Sequence, residues 1–68
     1  MTVRELIDKL QALGDPDRVV IVARDEEGNG YSTLGDFSID SYDDSVIIWP
    51  GAEYEDAEEA IAASKEQE

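Results

Sequence analysis

The sequence predicts an α+β fold: an N-terminal helix packed on a three-stranded antiparallel sheet, with a short acidic C-terminal helix, in the order α-β-β-β-α. Residues 2–13 carry apolar side chains at helical spacing behind a capping signature. Short β-branched or alternating runs follow, separated by Gly, Asn, Asp and Pro. Residues 53–68 are rich in Ala and Glu. A chain of 68 residues has room for one domain, expected to span 1–68 with about 64–68 frayed.

Thr2 and Glu5 form a T-x-x-E capping box, in which hydroxyl and carboxylate each satisfy an orphan backbone N–H. Val3, Leu6, Ile7, Leu10 and Leu13 then line one face of a helix, with Arg4, Glu5, Asp8, Lys9 and Gln11 on the other. Gly14 ends the helix by accepting a left-handed conformation, and Asp15-Pro16-Asp17 turns the chain. Arg18 to Arg24 (RVVIVAR) is predicted as the first strand, because four of its five apolar residues are β-branched. Asp25 to Gly30 (DEEGNG) has hairpin-loop composition. The stretch from Tyr31 to Tyr42 contains a second strand, in which Phe37 and Ile39 face one way and Ser38, Asp40 and Tyr42 the other. Asp43-Asp44-Ser45 is a turn, Val46 to Trp49 (VIIW) is the third strand, and Pro50-Gly51 ends it. Glu53 to Glu68 prefers helix but offers a weak apolar face: Tyr54, Ala57, Ile61 and either Ala60 or Ser64.

Composition removes whole classes of chemistry. The chain has no cysteine and no histidine, so disulfides, thiolate or imidazole metal sites and His- or Cys-based catalysis are excluded. The longest unbroken apolar run, Val19 to Ala23, is too short for a membrane span or a signal-peptide core, which makes a cytoplasmic protein the expectation. Net charge is −13, unevenly spread. Residues 1–34 hold seven acids and four bases; residues 35–68 hold eleven acids and Lys65 alone. Such a surface repels nucleic acid and anionic membranes and attracts basic proteins.

The opening TVRELIDKLQALGDPDRVVIV resembles a pattern frequent in small phage and prophage-borne proteins: T-V-x-E-L-I-x-x-L-x-x-L, a proline-aspartate turn, then a V-x-I-type strand. The likeness covers residues 2–24 closely and the remainder in outline. Some small acidic phage proteins of this make-up are anti-CRISPR or other anti-defence inhibitors, several of which imitate the phosphate array of DNA. The resemblance thus implies an inhibitor role; it supplies no motif of functional residues.

The acidic surface is the first candidate site. B-DNA presents a phosphate about every 3.4 Å per strand. Helix residues three or four apart are neighbours, which groups Glu55 with Glu58 and Glu59, and Asp56 with Glu59. Asp36, Asp40, Asp43 and Asp44 crowd the second strand and its turn, and Glu53 precedes the helix. Tyr42 and Tyr54 flank these acids as candidate interface anchors. The competing explanation is a solvated helix face.

Residues 25–36 (DEEGNGYSTLGD) are the second candidate. Asp25, Glu27, Asn29, Gly30 and Asp36 approximate a calcium loop, but the element before it is a strand rather than the entering helix such a loop needs. No metal and no cofactor are expected. Paired carboxylates are plentiful, yet a pocket deep enough to shift their pKa is beyond so short a chain, so no enzyme is expected. The sequence therefore predicts an acidic inhibitor, a monomer with a dimer left open. Its partner would be a basic DNA-binding surface on a host protein such as a CRISPR effector subunit, with no direct contact to nucleic acid or membrane. The alternative is an acidic regulatory domain that binds a partner through its sheet edge or a calcium loop.

Overall fold

The computed structural model describes residues 1–66. Among them the chain forms α1 (Val3–Ala12), β1 (Ile21–Ala23), β2 (Tyr31–Thr33), β3 (Ile39–Tyr42), β4 (Ser45–Ile48), β5 (Glu53–Tyr54) and α2 (Ala57–Glu66). The class is α+β: an N-terminal helix, antiparallel strands and a C-terminal helix.

The helix termini follow the chemistry of their residues. Thr2 Oγ1 accepts the Glu5 N–H and Glu5 Oε1 accepts the Thr2 N–H, both at 3.1 Å, completing the capping box. At the other end Gly14 takes φ 98° and donates to the Gln11 carbonyl, a left-handed stop that a side chain would resist. In α2, Asp56 Oδ1 accepts the Glu59 N–H at 2.9 Å, the geometry of an N-cap side chain.

The strands divide into two sheets, one of three strands in the order β1-β2-β5 and one a β3-β4 hairpin, all pairs antiparallel. The Tyr31–Tyr42 stretch therefore holds two strands, and Glu53–Tyr54 adds an edge strand where helix was expected. RVVIVAR is paired only over Ile21–Ala23, because β2 offers three residues of ladder. Between β2 and β3 the backbone turns. Ser38 is buried there: its Oγ accepts the Gly35 N–H at 2.9 Å and its carbonyl accepts the Trp49 N–H at 2.7 Å. Phe37 lies in that turn rather than in a strand and is 97% exposed, so it does not share a face with Ile39 in a ladder.

The helix that covers the three-stranded sheet is α2, which packs across β2, β5 and β1. Its contact face is made of small residues, with Ala60 and Ser64 buried and Ala57, Ile61 and Ala63 half-buried. Ser64 donates its hydroxyl to the Ala60 carbonyl at 2.9 Å, which lets a polar side chain sit inside without an unmet hydrogen bond. Residues 64–66, placed by the sequence in a frayed end, are helical; 67 and 68 lie outside the described residues. By contrast α1, the helix with the clearer apolar stripe, has no buried residue. Val3, Ile7, Leu10 and Leu13 are all exposed. A shallow groove separates its first turn from β4.

Candidate acidic interface

Each acidic position predicted from sequence is exposed: Asp36, Asp40, Asp43, Asp44, Glu53, Glu55, Asp56, Glu58 and Glu59. They fall on three separate parts of the fold. Asp36 follows β2 and lines a cleft with Arg18 and Ser64. Asp40, Asp43 and Asp44 belong to the β3-β4 hairpin. Glu53 to Glu59 run from β5 into the first turn of α2.

The hairpin group has defined geometry. Tyr42 pairs with Ser45, leaving Asp43 and Asp44 as a two-residue loop. Asp43 adopts φ 54°, a left-handed position that Asp tolerates better than most side chains. Pairing puts Asp40 and Tyr42 on one face of the hairpin with Ile47 and Ser45, while Ile39, Ser41, Val46 and Ile48 share the other. The first face thus joins a carboxylate to an aromatic ring that is 67% exposed. An acid beside an accessible tyrosine is a pairing suited to protein contact.

The run EYEDAEE is organised differently from the helix expected there. Glu55 precedes the helix, so it does not share a helical face with Glu58 and Glu59, whereas Asp56 caps the helix and meets Glu59 through its backbone N–H. Glu58 and Glu59 occupy the first turn, where the helix dipole favours negative charge. Capping and dipole account for where three of these acids sit locally, yet leave their outer oxygens facing solvent. Tyr54 is half-buried at the edge of the sheet, paired with Tyr31.

The calcium-like loop is a hairpin loop between β1 and β2, closed by the Arg24 N–H bonding the Gly30 carbonyl at 2.8 Å. Asp25 organises it from within. Its Oδ1 accepts the Glu27 N–H at 3.0 Å and the Asn29 N–H at 3.1 Å, and its Oδ2 accepts the Asn29 amide at 3.0 Å. The Asn29 backbone N–H, then its side-chain amide, with a further contribution from Glu27, hold the Asp25 carboxyl below its usual pKa against the opposing effect of desolvation. Among the described residues no group of three or more acidic, His or Cys side chains is arranged to hold a metal ion.

Because the folded pKa is depressed, the loop's stabilisation is fully present above the ordinary carboxylate value of about 3.9 and is lost as pH falls through the folded value. Exchange protection of the Glu27 and Asn29 amides should accordingly fade in acid, and Asp25→Ala should abolish it at neutral pH. Calcium at millimolar concentration and matched ionic strength should move the melting temperature by less than about 2 °C. A saturable rise of many degrees, lost in Asp25→Ala, would restore the calcium alternative.

Comparison with family models, curated proteins and solved structures finds no match to this chain. Function has to be sought in the surface itself. Among the described residues no helix is long and apolar enough to cross a membrane.

Proposed function

We propose that this chain is an acidic inhibitor of anti-CRISPR type: it occupies a basic, nucleic-acid-binding surface on a host protein by presenting carboxylates where DNA presents phosphates. The observation that carries this reading is the charge, skewed strongly to the second half of the sequence. Residues 35–68 hold eleven acids and one base, and the nine candidate carboxylates among them are exposed on the hairpin, the β2–β3 turn and the start of α2. Ordinary solubility needs a net charge of only about 2–8 in magnitude for a small domain, against −13 here. The longest dimension, 32 Å, is close to one turn of duplex, about 34 Å. The DNA- or PAM-reading subunit of a CRISPR effector is the target this reading names, in the cytoplasm of the host.

Competition with DNA is the test. Purified effector subunit, labelled duplex and rising amounts of this protein should give mutually exclusive binding, with excess duplex displacing the protein. Both associations should weaken as salt rises, because both pair opposite charges across a basic surface. A ternary complex of target, duplex and this protein would reject mimicry.

A further inference from the structure

The folded chain buries very little apolar surface. Among the described residues Ala60 is the one buried hydrophobic side chain; the other buried side chains are Ser32, Thr33, Ser38 and Ser64. Accessible area is 5833 Å², whereas a compact monomer of 7.5 kDa exposes about 4,200 Å². The radius of gyration, 12.6 Å, likewise exceeds the roughly 11 Å of a compact domain of this length. About 1,600 Å² that such a chain normally hides is on the outside, and a stable dimer needs about 800 Å² per partner.

Part of the surplus lies on α1; Phe37, Ile39, Tyr42 and Trp49 carry more of it elsewhere on the fold. Val3, Leu10 and Leu13 on α1 are 55%, 46% and 66% exposed, and Ile7 is 47% exposed. Val3, Leu6, Leu10 and Leu13 follow the alternating three-and-four spacing of a helix that packs against another helix. Beside the first turn of α1 a groove of about 580 Å³ is walled on its far side by Val46 and Ile48, from the apolar face of the hairpin. The stripe and this groove adjoin through Val3 and Leu6, with Thr2, Asp44 and Ser45 also lining the groove.

We propose that this surface binds a second copy of the chain, α1 against α1 about a two-fold axis, with apolar side chains of each copy reaching the groove of the other. Charge favours this geometry. On a helical projection Arg4 and Lys9 border the two sides of the stripe, while Glu5 and Asp8 point away from it. Asp44 lines the groove, so cations that border the stripe of one copy face a carboxylate at the groove of the other. A core as thin as this one also needs cover as soon as the chain is made, and its own copies are present in equal number. The inference does not rest on the acidic-target reading, although the two surfaces share Asp44.

Sedimentation equilibrium on the full chain should give twice the 7.5 kDa monomer mass at micromolar concentration. The melting temperature should rise with protein concentration, and the dimer should tighten with salt because screening relieves the repulsion between acidic halves. Leu10→Glu keeps a good helix former at an exposed position and should weaken association at least about 30-fold, whereas Asp8→Asn should not. The chain has no cysteine, so single substitutions report proximity without dependence on a charge-bearing variant folding well. Ile7→Cys should form a disulfide-linked dimer under mild oxidation at least about tenfold faster than Asp8→Cys. A monomeric mass with a concentration-independent melting temperature overturns the proposal. So do equal cross-linking rates in a dimer, or a folded Leu10→Glu variant that still dimerises. None of these results bears on competition with DNA, and a ternary complex with DNA would leave the dimer untouched.

Discussion

Gly51→Ala should lower the melting temperature by roughly 8–15 °C, the largest single-residue effect expected in this fold. A Cβ at position 51 would lie 2.6 Å from the Thr33 carbonyl oxygen and 2.7 Å from its Oγ1, closer than real Cβ atoms come. Thr33 cannot yield easily. It is 2% exposed on the central strand, its carbonyl accepts the Gly51 N–H at 2.8 Å, and its N–H donates to the Ala52 carbonyl at 3.0 Å. This backbone pair extends the β2-β5 ladder and binds the hairpin's exit to the central strand of the three-stranded sheet. Overpacking of this kind costs about 1–3 kcal/mol, and each kcal/mol is worth about 4–8 °C in a domain of this size. Thermal unfolding followed by circular dichroism measures it. Gly35→Ala is the control, since a Cβ there meets nothing within 4 Å. Equal melting temperatures for the two variants would mean that Gly51 and Thr33 are not in contact.

Neutralising the carboxylates at the start of α2 should weaken target binding by several kcal/mol while leaving the fold in place. In Glu55→Gln, Asp56→Asn, Glu58→Gln, Glu59→Gln each close interfacial charge pair lost is worth on the order of 1.5 kcal/mol or more. Asparagine is chosen at position 56 because it caps a helix as well as aspartate, so the bond to the Glu59 N–H is kept. Loss of Glu58 and Glu59 from the first turn costs a few tenths of a kcal/mol each in dipole energy, which relief of repulsion among neighbouring acids offsets. Binding of the folded variant to the purified effector subunit, set beside an Asp40→Asn, Asp43→Asn, Asp44→Asn variant, distinguishes α2 from the hairpin as the contact. If both variants bind as well as the parent chain, the acidic surface is a solvated face and the inhibitor reading fails.

Signals that act within a few residues are legible in the amino-acid order. Thr2 with Glu5 specifies the start of α1 and Gly14 its end, because both act through backbone groups three or four residues away. Asp25 to Gly30 specifies a hairpin loop for the same reason, and the folded loop is stitched by Asp25 itself. The division of Tyr31–Tyr42 into two strands is not legible in this way. Nothing in YSTLGDFSID states that Tyr31–Thr33 will find β1 and β5 while Ile39–Tyr42 finds β4, since each run is short and either could pair with any neighbour. Glu53–Tyr54 is a strand for a similar reason: the pull of the β2 edge outweighs the helical propensity of two residues.

The same distinction governs the surface. Residue order alone sets how much charge the chain carries, that its excess lies after residue 34, and that α1 has one apolar face. Packing settles what those features meet. It sets small, weakly apolar α2 on the three-stranded sheet, because Ala60 and Ser64 allow a close approach, and leaves the stronger stripe of α1 uncovered. It also breaks a run of acids expected on one helix into a strand end, a cap and a first turn. Hydrophobic periodicity records that a face must be covered; which surface covers it depends on steric fit between segments far apart in the chain, and periodicity carries no record of that.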